Sequence, residues 1–458
     1  MSGRSTAPSL PDPRSAHAFR FVRCGYADGV AELAYAFDGG PELVETVRFP
    51  GAPTVAPERQ GAFAAALDML HLIAGVSYYK AGVPARVEIA TGALDADTAA
   101  LLDVLYIDGL AEFAYRNGLD LAGRRLFAGS AAATSAAGAA PRLGLPARAL
   151  VPLGGGKDSL VVVEALKAQA ADASVAWIGA SQLIAGVARR TGLPAFNIAR
   201  ELSPVLFDYN HAGAWNGHVP VTAINSAILA CAALLYGFDA IVFANERSAS
   251  AATLEYRGHA VNHQWSKGWS FESAFAAWLR RHVAADLDYF SLLRPFPELA
   301  VTRAFARVGT AYFGAFSSCN RNFRILGPKP ADHWCGQCPK CHFVFLALAP
   351  FVPKPRLLTI FGRNLLDDEA LAPGFDALIE YREHKPFECV GEASEARAAL
   401  ATLAARPEWR EDALVARFRE EIAPQLGSAD LALEPWLTPS GKHGVPTRFA
   451  DALTWIGA

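Results

Sequence analysis

Little of this sequence's charge is left over: 42 lysines and arginines face 45 aspartates and glutamates, a net of −3. No basic excess is available to neutralise a phosphate backbone, so nucleic acid is not expected as a partner. Long apolar runs are scarce too. The first residues, MSGRSTAPSLPDPRS, hold no apolar core of the kind a signal peptide needs, and a cytoplasmic location is expected. One stretch, 219–238, stays uncharged over about the length of a bilayer span. It contains Pro220, Thr222, Asn225 and Ser226 and closes on Gly237-Phe238-Asp239, so it reads as a buried helix, and no membrane is expected. The seven cysteines are odd in number and accompany no export signal, which argues against a disulfide scaffold and for a reducing compartment. No internal repeat is present.

What is there is apolar bulk: 52% of 458 residues are hydrophobic, enough for extended cores and, at roughly 150 residues per domain, for about three domains. Residues 1–17 are rich in proline and serine and are expected to be disordered. Residues 18–128 read as an α+β domain. Stretches 19–22, 30–37 and 43–49 are strand-like, with Asp38-Gly39-Gly40 as a turn. Helical spacing follows over 61–79 through Phe63, Leu67, Leu70 and Ile73, and again over 95–117. Residues 129–145, beginning GSAAATSAAGAAP, read as a linker. In 146–351, strands at 148–153, 175–179, 195–198 and 240–244 alternate with helices at 158–169 and 182–191 and with the uncharged run. That rhythm predicts an α/β fold, a doubly wound parallel sheet with its ligand beyond the carboxyl ends of the strands. Residues 352–458 read as a mixed, mostly helical region that completes the active site.

The sharpest local signal is Leu153-Gly154-Gly155-Gly156-Lys157-Asp158-Ser159, which joins a strand to a helix. Three glycines remove every Cβ, so backbone N–H groups can close on a phosphate, and the helix N-terminus favours the same anion. This is not a Walker A loop: Val151 stands where its first glycine belongs, and Asp158 follows the lysine. The loop resembles that of the PP-loop ATP pyrophosphatases, whose signature is Ser-Gly-Gly-x-Asp-Ser. The resemblance implies the adenine nucleotide α-hydrolase-like form of the sheet and cleavage of ATP between its α and β phosphates, with Asp158 near Mg²⁺. Gly155, Gly156, Asp158 and Ser159 match the signature. Lys157 fills its variable position, and Gly154 replaces its first serine, removing one hydroxyl contact to phosphate. Gly179, at the end of the second strand, falls where such folds hold adenosine.

Further on, Asn245-Glu246-Arg247-Ser248 follows a strand, and Asn262-His263-Gln264-Trp265-Ser266-Lys267 and Glu272 come next. Strand ends gather the polar groups of an α/β site. Glu246 is a candidate for the nucleotide site and His263 and Lys267 for catalysis; a solvated loop with a helix cap is the plainer alternative. Cys319, Cys335, Cys338 and Cys341 have metal-ligand spacing. A structural zinc site is expected, with an iron–sulfur cluster or four free buried thiols as the other readings.

The whole chain, over about 19–450, resembles the UDP-N-acetylmuramoyl-L-alanyl-L-glutamate epimerases (MurL). The likeness lies in Gly75-Val76-Ser77-Tyr78-Tyr79-Lys80, the Gly154-to-Ser159 loop, Asn245-to-Ser248 with Asn262-His263-Gln264, and His384-Lys385-Pro386-Phe387-Glu388-Cys389-Val390-Gly391. It implies ATP-dependent inversion of the terminal L-Glu of UDP-MurNAc-L-Ala-L-Glu to D-Glu through an acyl-adenylate, releasing AMP and pyrophosphate, in peptidoglycan precursor synthesis. Inversion needs proton carriers at Cα. Cys389 is a candidate on one face and His384 or His263 on the other, against an inert thiol and a surface imidazole. The alternative is a nucleotide-modifying PP-loop enzyme, a 7-cyano-7-deazaguanine synthase or a tRNA thiolase. A non-catalytic ATP sensor is a third reading.

Overall fold

The computed structural model describes residues 10–129, 140–324 and 328–458. Among them the strands are β1 (Ala18–Ala27), β2 (Val30–Phe37), β3 (Leu43–Arg48), β4 (Arg86–Ile89), β5 (Ala149–Pro152), β6 (Ala173–Ile178), β7 (Ala195–Glu201), β8 (Ala240–Phe243), β9 (Leu254–Tyr256), β10 (His259–Val261) and β11 (Asp288–Ser291). Two compact units result. The first takes the chain up to Gly144 together with Ile198–Tyr236 and Ala277–Asp286; the second takes Leu145–Asn197, Gly237–Ala276 and Leu287–Ala458. Contiguous segments are what the sequence suggests; contacts instead group the chain in interleaved pieces.

In the first unit β1, β2 and β3 form the expected antiparallel meander, and β4 adds a parallel partner to β1. The distal part of β7, Ala199 to Glu201, pairs antiparallel with β3, where a purely parallel arrangement of β7 is expected. A buried ion pair marks that junction: Arg200 Nε donates to Glu45 Oε1 at 2.7 Å, and Glu45 is fully buried. The helix Gln60–Ala74 buries Phe63, Leu67, Leu70 and Ile73 as its spacing requires, and packs on the uncharged helix Val221–Tyr236. Each such side chain contributes about 1.5–3 kcal/mol on leaving water. By length and composition Pro57–Tyr79 passes as a membrane span, yet 78% of that apolar window is buried inside the structure. The second helical stretch breaks into Ala96–Ile107 and Ala111–Asn117. A Cβ at the intervening Gly109 would lie 2.3 Å from the Leu105 carbonyl oxygen.

Residues 1–9 and 130–139, where disorder and a linker are expected, lie outside the described residues. Residues 10–17 are ordered: Pro13–Ser15 forms a 3-10 turn with Pro13 buried. Past the linker, Leu143 and Gly144 donate their N–H groups to the Asp286 carboxylate at 2.9 and 2.8 Å.

In the second unit β11, β8, β5 and β6 lie side by side and run parallel. The chain leaves β5 towards β6 on one side, while β8 occupies the other. The carboxyl ends of β5 and β8 therefore flank a switch point, the place where open α/β sheets form a crevice. Beyond the sheet the described chain from Lys354 onward is helical, and the final helix, Ala450–Gly457, packs on Lys157–Ala168.

Candidate active site

The glycine loop lies at the end of β5, and Gly156 caps the helix Lys157–Ala168 that follows. Gly155 has φ +83°, and a Cβ there would press on the Ser317 carbonyl oxygen at 3.2 Å and on Ile184 at 3.3 Å. That position needs glycine. Gly154 does not need it for space, since a Cβ there meets nothing within 4 Å. Gly179 follows β6 with φ +97°, and its carbonyl accepts from Asn197 Nδ2 at 2.7 Å.

Lys157 turns its ammonium inward and bridges Asp158 Oδ1 at 2.5 Å and Glu298 Oε1 at 2.7 Å. Glu298 opens the helix Glu298–Val308 after β11. Glu246 follows β8, so carboxylates from three neighbouring strand ends converge. The carboxylate oxygens of Asp158, Glu246 and Glu298 lie within 4.8 Å of one another. Burial, reinforced by Glu298 and Asp158, raises the Glu246 carboxyl to about 8 against the pull of Lys267. Burial raises Asp158 as well, but Lys157 and Lys340 outweigh it and hold that carboxyl below its ordinary value. Beside Glu246, Asn245 Nδ2 is buried without an acceptor among the described residues, a donor an incoming oxygen would satisfy.

Cys389 joins this group from a distant part of the chain. Lys267 Nζ lies 3.3 Å from its sulfur. Burial would raise the thiol, but the Lys267 ammonium, a hydrogen bond with His263 and the charge of Lys340 lower it to about 6. The charge thus comes from Lys267 and its surroundings and not from the adjacent His384-Lys385. His384 is exposed, whereas Lys385 is buried, and burial lowers its ammonium. Gln264 Nε2 reaches the Val390 carbonyl at 3.5 Å and ties the Cys389 turn to the His263 segment.

A buried arginine sets the spacing behind these groups. Arg294 forms a salt bridge with Glu272 at 2.7 Å and donates from Nη1 to the Glu246 carbonyl at 2.8 Å and from Nη2 to the Lys267 carbonyl. Glu395 plays a similar part elsewhere. It accepts from Ser248 Oγ at 2.7 Å, Leu299 N at 3.1 Å and Glu392 N at 2.9 Å, and burial raises its carboxyl to about 7.

The four cysteine sulfurs also gather within 4.8 Å of one another, with separations of 4.0, 3.7 and 3.5 Å for Cys319–Cys338, Cys335–Cys341 and Cys338–Cys341. A tetrahedral ion with metal–sulfur bonds of about 2.3 Å requires edges of about 3.8 Å, so the donor set fits zinc.

Residues 11–292 match the MurL N-terminal domain and residues 315–432 the MurL C-terminal domain. The chain belongs to the MurL family. A UDP-N-acetyl-alpha-D-muramoyl-L-alanyl-L-glutamate epimerase of Xanthomonas oryzae pv. oryzae is 58% identical over 95% of this chain and 96% of its own. Proteins of the same name from Salinispora tropica and Micromonospora sp. are 41% and 40% identical over 96% and 93% of this chain. In this MurL chain the glycine loop, Glu246, His263 and Lys267 fall in the first matched region, and the four cysteines and Cys389 in the second. Glu298, Arg294 and Lys340 escape the sequence reading; the end of β11 is the signal that leads to the first two. The Gly75-to-Lys80 motif is packing in the first unit. A Cβ at Gly75 would lie 2.5 Å from Phe21, Tyr78 is fully buried and stacks on Tyr35, and Lys80 donates to Asn216 at 2.6 Å.

Proposed function

We propose that this protein inverts the α-carbon of the terminal glutamate of UDP-MurNAc-L-Ala-L-Glu at the expense of ATP. The reading is supported by the names of its relatives and, above all, by the Cys389 sulfur standing 3.3 Å from the buried Lys267 ammonium. Proton removal next to a carboxylate sets negative charge beside negative charge. In the proposed sequence the glutamate carboxylate attacks the α-phosphorus of ATP, pyrophosphate leaves, and the acyl-adenylate makes the α-hydrogen acidic. The Cys389 thiolate takes that proton, and fixed cations stabilise the enolate oxygen. A second acid returns a proton to the opposite face. Water then cleaves the adenylate, giving AMP and the D-Glu product.

Backbone N–H groups of Gly154 to Ser159 would hold the pyrophosphate portion, and Gly179 would face the adenosine. Mg²⁺, a hard cation suited to oxygen donors, would neutralise phosphate charge at Asp158 and Glu246. The four-cysteine site would hold a structural zinc ion, since its four ligands leave no open position. The test is to incubate the protein with ATP, Mg²⁺ and UDP-MurNAc-L-Ala-L-Glu while following AMP and glutamate configuration together. Inversion without AMP formation, or AMP formation without inversion, would reject the proposal.

A further inference from the structure

Two arms leave the four-cysteine centre, and both end in the candidate active site. On the Cys319 arm, Ser317 donates its N–H to the Gly155 carbonyl at 2.9 Å and its Oγ to the His333 carbonyl at 2.6 Å. The second arm runs through Cys338-Pro339-Lys340-Cys341. Cys338 caps the helix Pro339–Leu348, which places Lys340 in the first turn between two of the four sulfurs. Lys340 is 8% exposed, and its Nζ donates to the backbone carbonyl of Cys389. The Cys389 turn is pressed on the same helix: a Cβ at Gly391 would lie 2.6 Å from the Phe343 ring.

We propose that Lys340 is a positioning residue that ties the Cys389 turn to the four-cysteine centre, so that an ion in the centre governs where the Cys389 sulfur stands relative to Lys267. The proposal rests on the reading of Cys389 as a proton carrier. Its geometry is direct. Cys338 and Cys341 are three apart and hold the first helical turn from both sides, so the root of Lys340 moves only if the centre opens. The ammonium grips a main-chain oxygen, so beyond the charge it lends the Cys389 thiol it also acts on the path of the turn. The sulfur then meets Lys267 at contact distance as a result of that path.

The test uses the full-length metal-loaded protein and K340M. Metal content by elemental analysis should be unchanged in the variant. Iodoacetamide labelling of Cys389, read from its own peptide across pH, should show the midpoint moved upward in K340M, by more than in K340Q, which loses the same charge but keeps a donor. Deuterium entry at the substrate Cα in D₂O should fall by about 100-fold, the scale of a misplacement of roughly 1 Å. K340R, which keeps a donor of similar reach, should recover part of both. Removing the ion from wild type with a chelator should move the Cys389 midpoint in the same direction, and removing it from K340M should add little.

Unchanged labelling and exchange in K340M, an equal chelator response in both proteins, or purified wild type without metal would each overturn the link. Should K340M not fold, K340Q makes the same comparison with a donor and no charge. Failure of the catalytic reading is separate: Cys389→Ala would then keep full inversion, whatever the labelling of K340M shows.

Discussion

Arg294 donates to the carbonyl oxygen of Glu246 at 2.8 Å while its salt bridge to Glu272 is fully buried. Arg294→Met removes the cation and leaves Glu272 charged in the interior, a change that typically destabilises by about 3–5 kcal/mol. Urea denaturation should show a loss on that scale. Arg294→Lys should lose less stability, yet it keeps only one donor head for two carbonyls. Its AMP release should therefore fall further than its stability. A variant with wild-type turnover would free Glu246 and Lys267 from this clamp.

Asp158→Asn should lower AMP release by a factor on the order of 100 or more while circular dichroism stays unchanged, because the charge proposed to face the phosphates and Mg²⁺ is lost. Lys157 retains Glu298 as a partner, so the buried ammonium is not orphaned. Normal turnover in this variant would remove the loop carboxylate from the reaction.

Cys389→Ala should separate activation from proton transfer. ATP consumption in the presence of the L-Glu substrate persists, and deuterium entry at Cα drops by roughly 100- to 10,000-fold, the usual scale of a lost acid–base group. Equal loss of both would mean that the thiol supports binding or folding only.

The thiol also sets a pH dependence. Its value is lowered to about 6, with burial opposing and Lys267 the strongest stabiliser of the thiolate. With the thiolate as the proposed base, Cα exchange should rise as pH climbs through about 6 and level off above. Lys267→Met should shift that rising limb upward, towards the unperturbed thiol value of about 8.5. An unmoved limb would assign it to another group.

Purified protein should contain about one zinc ion per chain if the four converging cysteines form the proposed structural site. Cys338→Ser should reduce soluble yield and zinc content together, since ligand loss in such sites is paid in folding free energy. Metal-free protein that is stable and active would reject a structural ion.

Much of this site is legible in the sequence where chemistry and element boundary coincide. The glycine run marks the end of β5 by itself, and Asn245-Glu246 follows an unbroken apolar strand. Cys335-x2-Cys338-x2-Cys341 fixes its own geometry. Glu298 is hidden because β11 spans only Asp288–Ser291 and is followed by an apolar, proline-broken stretch that masks the strand end. Lys340 sits among cysteines that account for the segment without it. The contact of Lys267 with Cys389 joins residues 122 positions apart, and no local pattern encodes such a meeting. Conversely, Gly75-Val76-Ser77-Tyr78-Tyr79-Lys80 reads as a family mark, although its glycine and tyrosines answer to the crowding of Phe21, Tyr35 and Tyr106.

The Glu45–Arg200 pair has a bearing on how the polypeptide emerges from the ribosome. Glu45 is wholly enclosed, and its counter-charge is synthesised 155 residues later. During that interval an ionised carboxylate would have to enter the interior alone, which is strongly unfavourable. The meander by itself thus lacks the cation that Glu45 meets in its final burial, and that burial is complete as seen only once translation has passed the glycine loop and delivered Arg200.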